Sequence, residues 1–188
     1  MQEALILASS SPRRRELMGY TGIPFEVITA EAEEEKNGNP RALVMENARR
    51  KARAVADAHP GRTVLGADTV VYLEGKVLGK PRDHADAKRM IAQLSGAWHT
   101  VYTGVCVISP RGEDVRCDES RVQFVKLTEE EIDQYAASQE PMDKAGAYAL
   151  QGKGGMFVSR IEGSYSNVIG LPMALVRDML ILAGVQGI

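Results

Sequence analysis

The chain has 188 residues, enough for one domain with a proper buried core. Hydrophobic residues make up 44% and charged residues 26%, the composition of an ordinary soluble globular protein. Its 23 Lys and Arg against 25 Asp and Glu leave a formal charge of -2, which excludes a whole-protein electrostatic grip on nucleic acid but allows a local basic pocket for a small polyanion. No apolar run approaches the roughly 20 residues that a membrane span needs. The basic cluster at Arg13-Arg14-Arg15 follows the first apolar run, the reverse of a secretory signal, so the cytoplasm is the expected location. Cys106 and Cys117 are too few for a disulfide framework and lack metal-ligand spacing, so reduced thiols are expected.

Residues 4–8 read as a short buried strand. Ser11-Pro12 then opens a helix, with serine as cap and proline at the first turn. Residues 25–28 read as a second strand, and residues 30–39 as an acidic loop. Asn39-Pro40 begins a long helix to about Ala58. Residues 63–73 and 77–78 form a hairpin around Glu74-Gly75. Asp83 caps a helix to about Leu94, residues 98–108 alternate as a strand, and residues 121–127 read as another. Thr128-Glu129-Glu130-Glu131 is a capping-box pattern opening a helix to about Ser138. A Gly-rich stretch, a strand at 157–161 and a helix after Leu171-Pro172 complete the chain. Mixed elements with several hairpins predict an α/β or α+β protein with a mixed or largely antiparallel sheet, not a doubly wound parallel one.

Four stretches carry candidate chemistry. Ser9-Ser10-Ser11-Pro12-Arg13-Arg14-Arg15 lies at a strand-to-helix junction, where free N–H groups, hydroxyls and guanidinium forks suit phosphate. Its bland alternative is a capped helix with solvated arginines. Asp68, in Gly66-Ala67-Asp68-Thr69-Val70-Val71, interrupts an apolar strand and needs a cationic partner if buried. A carboxylate from the acidic loop (Glu31, Glu33, Glu34 or Glu35) facing Asp68 would suit a hard divalent cation. Lys80, between Gly79 and Pro81, and Lys51, within a long helix, could meet phosphate or simply be surface charge. The stretch from Glu140 to Gly155 is a shaped loop, and its Gln151 can bond a base edge. His99 reads as a structural hydrogen-bonding residue.

Six segments, LASSSPRRRE (7–16), GADTVV (66–71), GKPRD (79–83), LSGAWHTVYTG (94–104), EPMDKAGAYALQG (140–152) and GSYSNVIGLP (163–172), together resemble the Maf family of nucleotide pyrophosphatases, in that family's order and across nearly the whole chain. The resemblance implies one domain over residues 1–188, an elongated two-lobed mixed sheet flanked by helices, related to the inosine triphosphate pyrophosphatases, with the nucleotide in a cleft between the lobes. It implies hydrolysis of the α–β phosphoanhydride with a divalent metal, Mg or Mn, and a homodimer. It assigns Asp68 as general base; Ser9, Arg13, Arg14, Lys51 and Lys80 to the phosphates; and Glu34, with Glu33 as the adjacent alternative, to the metal beside Asp68. The DKAGAYALQG form is similar to the branch acting on dTTP and UTP, which makes Arg13, Thr69 and Gln151 the specificity positions. Gln139 and Leu150 depart from the pattern without touching a polar role.

A triphosphate is a polyanion, so its site must be cationic even though the chain is not. Arg13, Arg14, Lys51, Lys80 and a metal can supply that charge. A metal-bound carboxylate is a weak base, so the sequence leaves Asp68 open as base or as ligand. Two rivals stand beside this reading: a non-enzymatic regulator of septum formation that works by binding a partner, and an enzyme of the same class acting on 7-methyl-GTP.

Overall fold

The computed structural model describes residues 4–187. Local signals start most of its helices. The Ser11 hydroxyl accepts from the Arg14 N–H at 3.4 Å and opens helix α1 (Pro12–Gly19). Asn39 accepts from the Ala42 N–H at 3.1 Å and opens α2 (Pro40–Ala56). Asp83 caps α3 (His84–Leu94), and Thr128 with Glu131 forms the expected capping box of α4 (Glu129–Ala136). Two further helices, α5 (Tyr165–Ile169) and α6 (Met173–Leu182), lie near the C-terminal end.

The strands are β1 (Leu5–Leu7), β2 (Phe25–Val27), β3 (Val64–Leu73), β4 (Lys76–Leu78), β5 (Trp98–Ser109), β6 (Gly112–Phe124) and β7 (Val158–Glu162). They form one mixed sheet in the order β2-β1-β3-β5-β6-β7, with β4 also on β3. β1 runs parallel to β2 and β3, and the remaining pairings are antiparallel. The turn from β3 to β4 has positive φ at both Glu74 and Gly75, the primed geometry that suits a tight hairpin. The mixed α/β class expected from the sequence is the one observed. Two details differ. β6 begins at Gly112 and ends at Phe124, instead of spanning 121–127, and α5 was not expected. Among the described residues no helix is long and apolar enough to cross a membrane.

One edge of β3 is shared. β1 pairs with it at Val64 and Leu65, and β4 pairs with it at Val71–Leu73. Between them, from Gly66 to Val70, that edge has no strand neighbour among the described residues. The other edge pairs with β5 throughout, Asp68 opposite Gly104 and Thr69 opposite Thr103. Side chains alternate across a strand, so Asp68 faces α2 while Thr69 faces the opposite layer.

α2 lies unusually close to the sheet because glycines leave room for it. A Cβ on Gly66 would come 2.8 Å from the Ala48 carbonyl oxygen, and one on Gly104 only 2.2 Å from that of Val44. Ile6, Ala48, Ala52, Val55, Val64 and Cys106 pack in this layer. Beyond the far end of β3 a second apolar group gathers Val71, α3, α4, Phe124, Tyr148 and Phe157. Cys106 and Cys117 are both free, and burial pushes the Cys106 thiol up to about 12.

His99 is 3% exposed, with Nε2 on the Tyr148 hydroxyl at 2.7 Å and edge-to-face rings of Phe124 and Tyr148 around it. It is the structural histidine expected. Burial lowers its pKa from 6.5 to about 4. Between those values only the unfolded chain takes up the proton, so stability is complete above pH 6.5 and is lost as pH falls toward 4. The loss should reach about 3 kcal/mol. Urea unfolding of wild type and His99→Gln across that range checks it: the variant should show a shallower slope, and parallel slopes would exclude His99 as the cause.

Candidate active site

The open edge of β3 is the floor of a cavity of about 840 Å³. Its wall includes Ser9, Arg13 and Arg14 from the β1–α1 junction, Glu34 from the acidic loop, Lys51 from α2, Asp68 and Thr69 from β3, and Lys80 after β4. Segments far apart in sequence thus meet at one place. Chain order explains part of this: β1 ends at Leu7, and its continuation turns into the capped start of α1 beside the gap in the sheet.

Asp68 is 7% exposed. A carboxylate so buried needs donors, and α2 supplies two. Lys51 Nζ lies 2.8 Å from Asp68 Oδ1, and Asn47 Nδ2 donates to Asp68 Oδ2 at 3.1 Å. Lys51 and Asn47 are four residues apart, hence on one helix face. Lys51 Nζ also reaches Glu34 Oε1 at 3.0 Å, so two carboxylates from separate elements converge on one ammonium.

Asn47 also fixes the acidic loop. Its amide exchanges two hydrogen bonds with the Glu35 backbone, accepting from N–H at 2.8 Å and donating to C=O at 2.9 Å. This clamp holds Glu34 beside Lys51. Glu33 is not on the wall, and its carbonyl accepts instead from Arg50 at 3.1 Å. Asn47 was missed in the sequence reading. Its signal was a polar residue between Leu43, Val44, Ala48 and Ala52 on the buried face of an amphipathic helix.

The two arginines behave differently. Arg13 stands 3.9 Å from Asp143, whose carboxylate also takes the Lys144 ammonium at 2.7 Å. Arg14 is tied into the fold: Nε donates to the Gly170 carbonyl at 2.7 Å, Nη2 to the Thr69 hydroxyl at 2.9 Å and Nη1 to Ser9 Oγ at 3.3 Å. Burial pulls the Arg14 pKa down and the Arg13 charge adds to that, while Asp68 opposes it. The guanidinium remains cationic, since arginine does not lose its proton in proteins. Three of its N–H groups are therefore committed to the protein, and two of the five remain for a ligand.

Gln151, like Glu33, is a sequence-derived candidate that the structure does not bring to the wall. Along this loop the lining stops at Leu150, and Gln151 is exposed beyond it. The turn around it is held from outside by Glu140, unread in the sequence. That carboxylate accepts from the Tyr135 hydroxyl at 2.5 Å and from the N–H groups of Lys153 and Gly154, both at 2.9 Å. Burial works against its ionisation, but these donors overcome it and keep the Glu140 pKa below the ordinary carboxylate value.

Fold and site define a mixed α/β protein whose central sheet opens onto a polyanion-sized cavity walled by cations and two convergent carboxylates. A family model described as Maf-like protein matches residues 4–183. A protein of Deinococcus radiodurans named dTTP/UTP pyrophosphatase is 50% identical, over 97% of this chain and 94% of its own length. One from Bacillus mycoides with the same name is 49% identical over 93% of each chain. Among solved structures, the Staphylococcus aureus Ham1 protein aligns over 95% of this chain and 98% of its own with a TM-score of 0.56 at 15% identity, a likeness of fold. The chain belongs to the Maf family.

Proposed function

We propose that this protein hydrolyses dTTP and UTP to the monophosphate and pyrophosphate with the help of a divalent cation. The observation that carries the reading is Asp68, buried at the cavity floor and held by Lys51 and Asn47 amid the cationic wall. The half-identical relatives named for that activity support it.

In this reading Arg13, Arg14, Lys80 and the hydroxyl of Ser9 take the phosphates, and Lys51 adds charge close to Asp68. Water attacks the α-phosphorus, the bond from that phosphorus to the α–β bridging oxygen breaks, and the proton from the water passes to Asp68. Lys51 and Asn47 keep the carboxylate aimed while this happens. Glu34 and one Asp68 oxygen are the groups that would hold the cation, which leaves the other Asp68 oxygen to take the proton. Two carboxylates suit a hard ion that also takes phosphate oxygens and water. Among the described residues no group of three or more His, Cys, Asp or Glu could hold a metal alone, so the substrate would complete its coordination. When bound, the ion would offset the charge developing on the leaving pyrophosphate.

Pyrophosphate release from dTTP, UTP, dCTP, GTP and 7-methyl-GTP, with Mg, Mn or a chelator, tests the reading. We expect release favouring dTTP and UTP and its loss on chelation. A purine preference would overturn the substrate assignment, and full activity in chelator would overturn the metal.

A further inference from the structure

A ring of hydrogen bonds, closed through the backbone from Asn167 to Gly170, ties the cavity wall to the layer behind it. Arg14 Nη2 donates to Thr69 Oγ1 at 2.9 Å; Thr69 Oγ1 and Thr103 Oγ1 are 2.9 Å apart; Thr103 Oγ1 donates to the Asn167 carbonyl at 3.0 Å. Arg14 Nε returns to the same C-terminal segment through the Gly170 carbonyl. That segment is itself pinned, because Asn167 Nδ2 donates to the Val101 carbonyl and to Ser120 Oγ, both at 3.0 Å.

The ring has only one arrangement of protons. A guanidinium only donates, a carbonyl only accepts, and each hydroxyl has a single proton. Thr103 spends its proton on Asn167, so the proton between the two threonines belongs to Thr69. Thr69 therefore presents lone pairs to Arg14 and cannot donate toward it or into the cavity. Thr103 is 0% exposed, is not part of the cavity wall, and sits directly across the ladder from Thr69.

We propose that Thr103 is a positioning residue for the phosphate cradle: by accepting the hydrogen bond from the Thr69 hydroxyl it orients that hydroxyl as an acceptor, which holds Arg14 beside Ser9. The proposal rests on the nucleotide reading above. Thr103→Val keeps the shape and removes the acceptor, whereas Thr103→Ser keeps the hydroxyl. The valine variant should raise KM for dTTP about fivefold or more, the weight of one hydrogen bond, with kcat within about twofold. Inorganic triphosphate, which has no base, should lose inhibitory strength by the same factor. Serine should restore both values, which a purely structural role would not require of a side chain that is also smaller. If the valine variant does not fold, Thr103→Ala is measured in its place.

Unchanged KM and inhibition in the variant, or a serine variant as impaired as the valine one, would overturn the proposal. Should the wild type hydrolyse neither dTTP nor UTP, the functional reading fails separately. The relay is then read from calorimetric binding of inorganic triphosphate to wild type and variants, where equal affinities, or no binding at all, would overturn it.

Discussion

Asp68→Asn is expected to lower pyrophosphate release from dTTP at least about 100-fold, the lower bound for removing a general base. The fold should survive. Asn47 can still donate to the remaining amide oxygen, and Lys51 keeps its second carboxylate, Glu34, at 3.0 Å. No buried charge is orphaned, so the usual cause of a large stability loss at such a site is absent. Steady-state release, with a thermal melt of the same preparation, separates the two effects. Turnover near that of wild type would remove Asp68 from the mechanism. Lost turnover with a collapsed melt would make it a structural residue.

Gly104→Ala should produce the largest loss of stability. The added methyl would lie 2.2 Å from the Val44 carbonyl oxygen and 2.7 Å from the Met45 nitrogen, both in the backbone of α2. No rotamer change relieves a clash with backbone, so the helix must move outward. Overpacking of this kind costs about 3 kcal/mol, which corresponds to a midpoint lower by roughly 10 °C in a chain of this size. Activity should fall with it, because the displaced helix carries Asn47 and Lys51. Gly19→Ala, where a Cβ would meet nothing within 4 Å, is the control and should melt near wild type. Equal melts for the two variants would mean that α2 does not need Gly104 for its seat.

Most helix starts were legible because they are local. Ser11-Pro12, Asn39-Pro40, Asp83 and Thr128 with Glu131 each satisfy an N-terminal N–H within three residues. The first half of β6 was not, because its charges mimic a loop. Glu113 and Glu119 find Arg53 and Arg41 on α2, and such cross-element pairs leave no periodic trace along one strand. α5 is five residues long and begins Tyr-Ser-Asn, too short for a periodicity to develop.

At the site, the residue types were legible but their allegiances were not. Arg13 and Arg14 look alike in the sequence, yet Arg14 alone is threaded into the fold, and its acceptor Gly170 lies 156 positions away. Glu33 and Glu34 were separable only once Asn47 had fixed the loop at Glu35. Gln151 was read from its amide chemistry, but the chain leaves the cavity one residue earlier, where Gly152 passes tightly over Glu140.

The gap in the sheet between β1 and β4 gives the middle of β3 two contrasting borders. Along one it is laced to the longest hairpin in the molecule; along the other it meets the cavity. Ordinarily a binding loop can loosen or be remodelled while its scaffold stands firm. Asp68 and Thr69 have no such independence, since both belong to the scaffold strand itself. Heat or denaturant should therefore extinguish ligand binding and the cooperative unfolding signal together, with no earlier stage in which the site alone has melted. Adaptation to new substrates would then fall to the flanking segments around Arg13, Glu34 and Leu150, and the strand at the centre would tolerate little change.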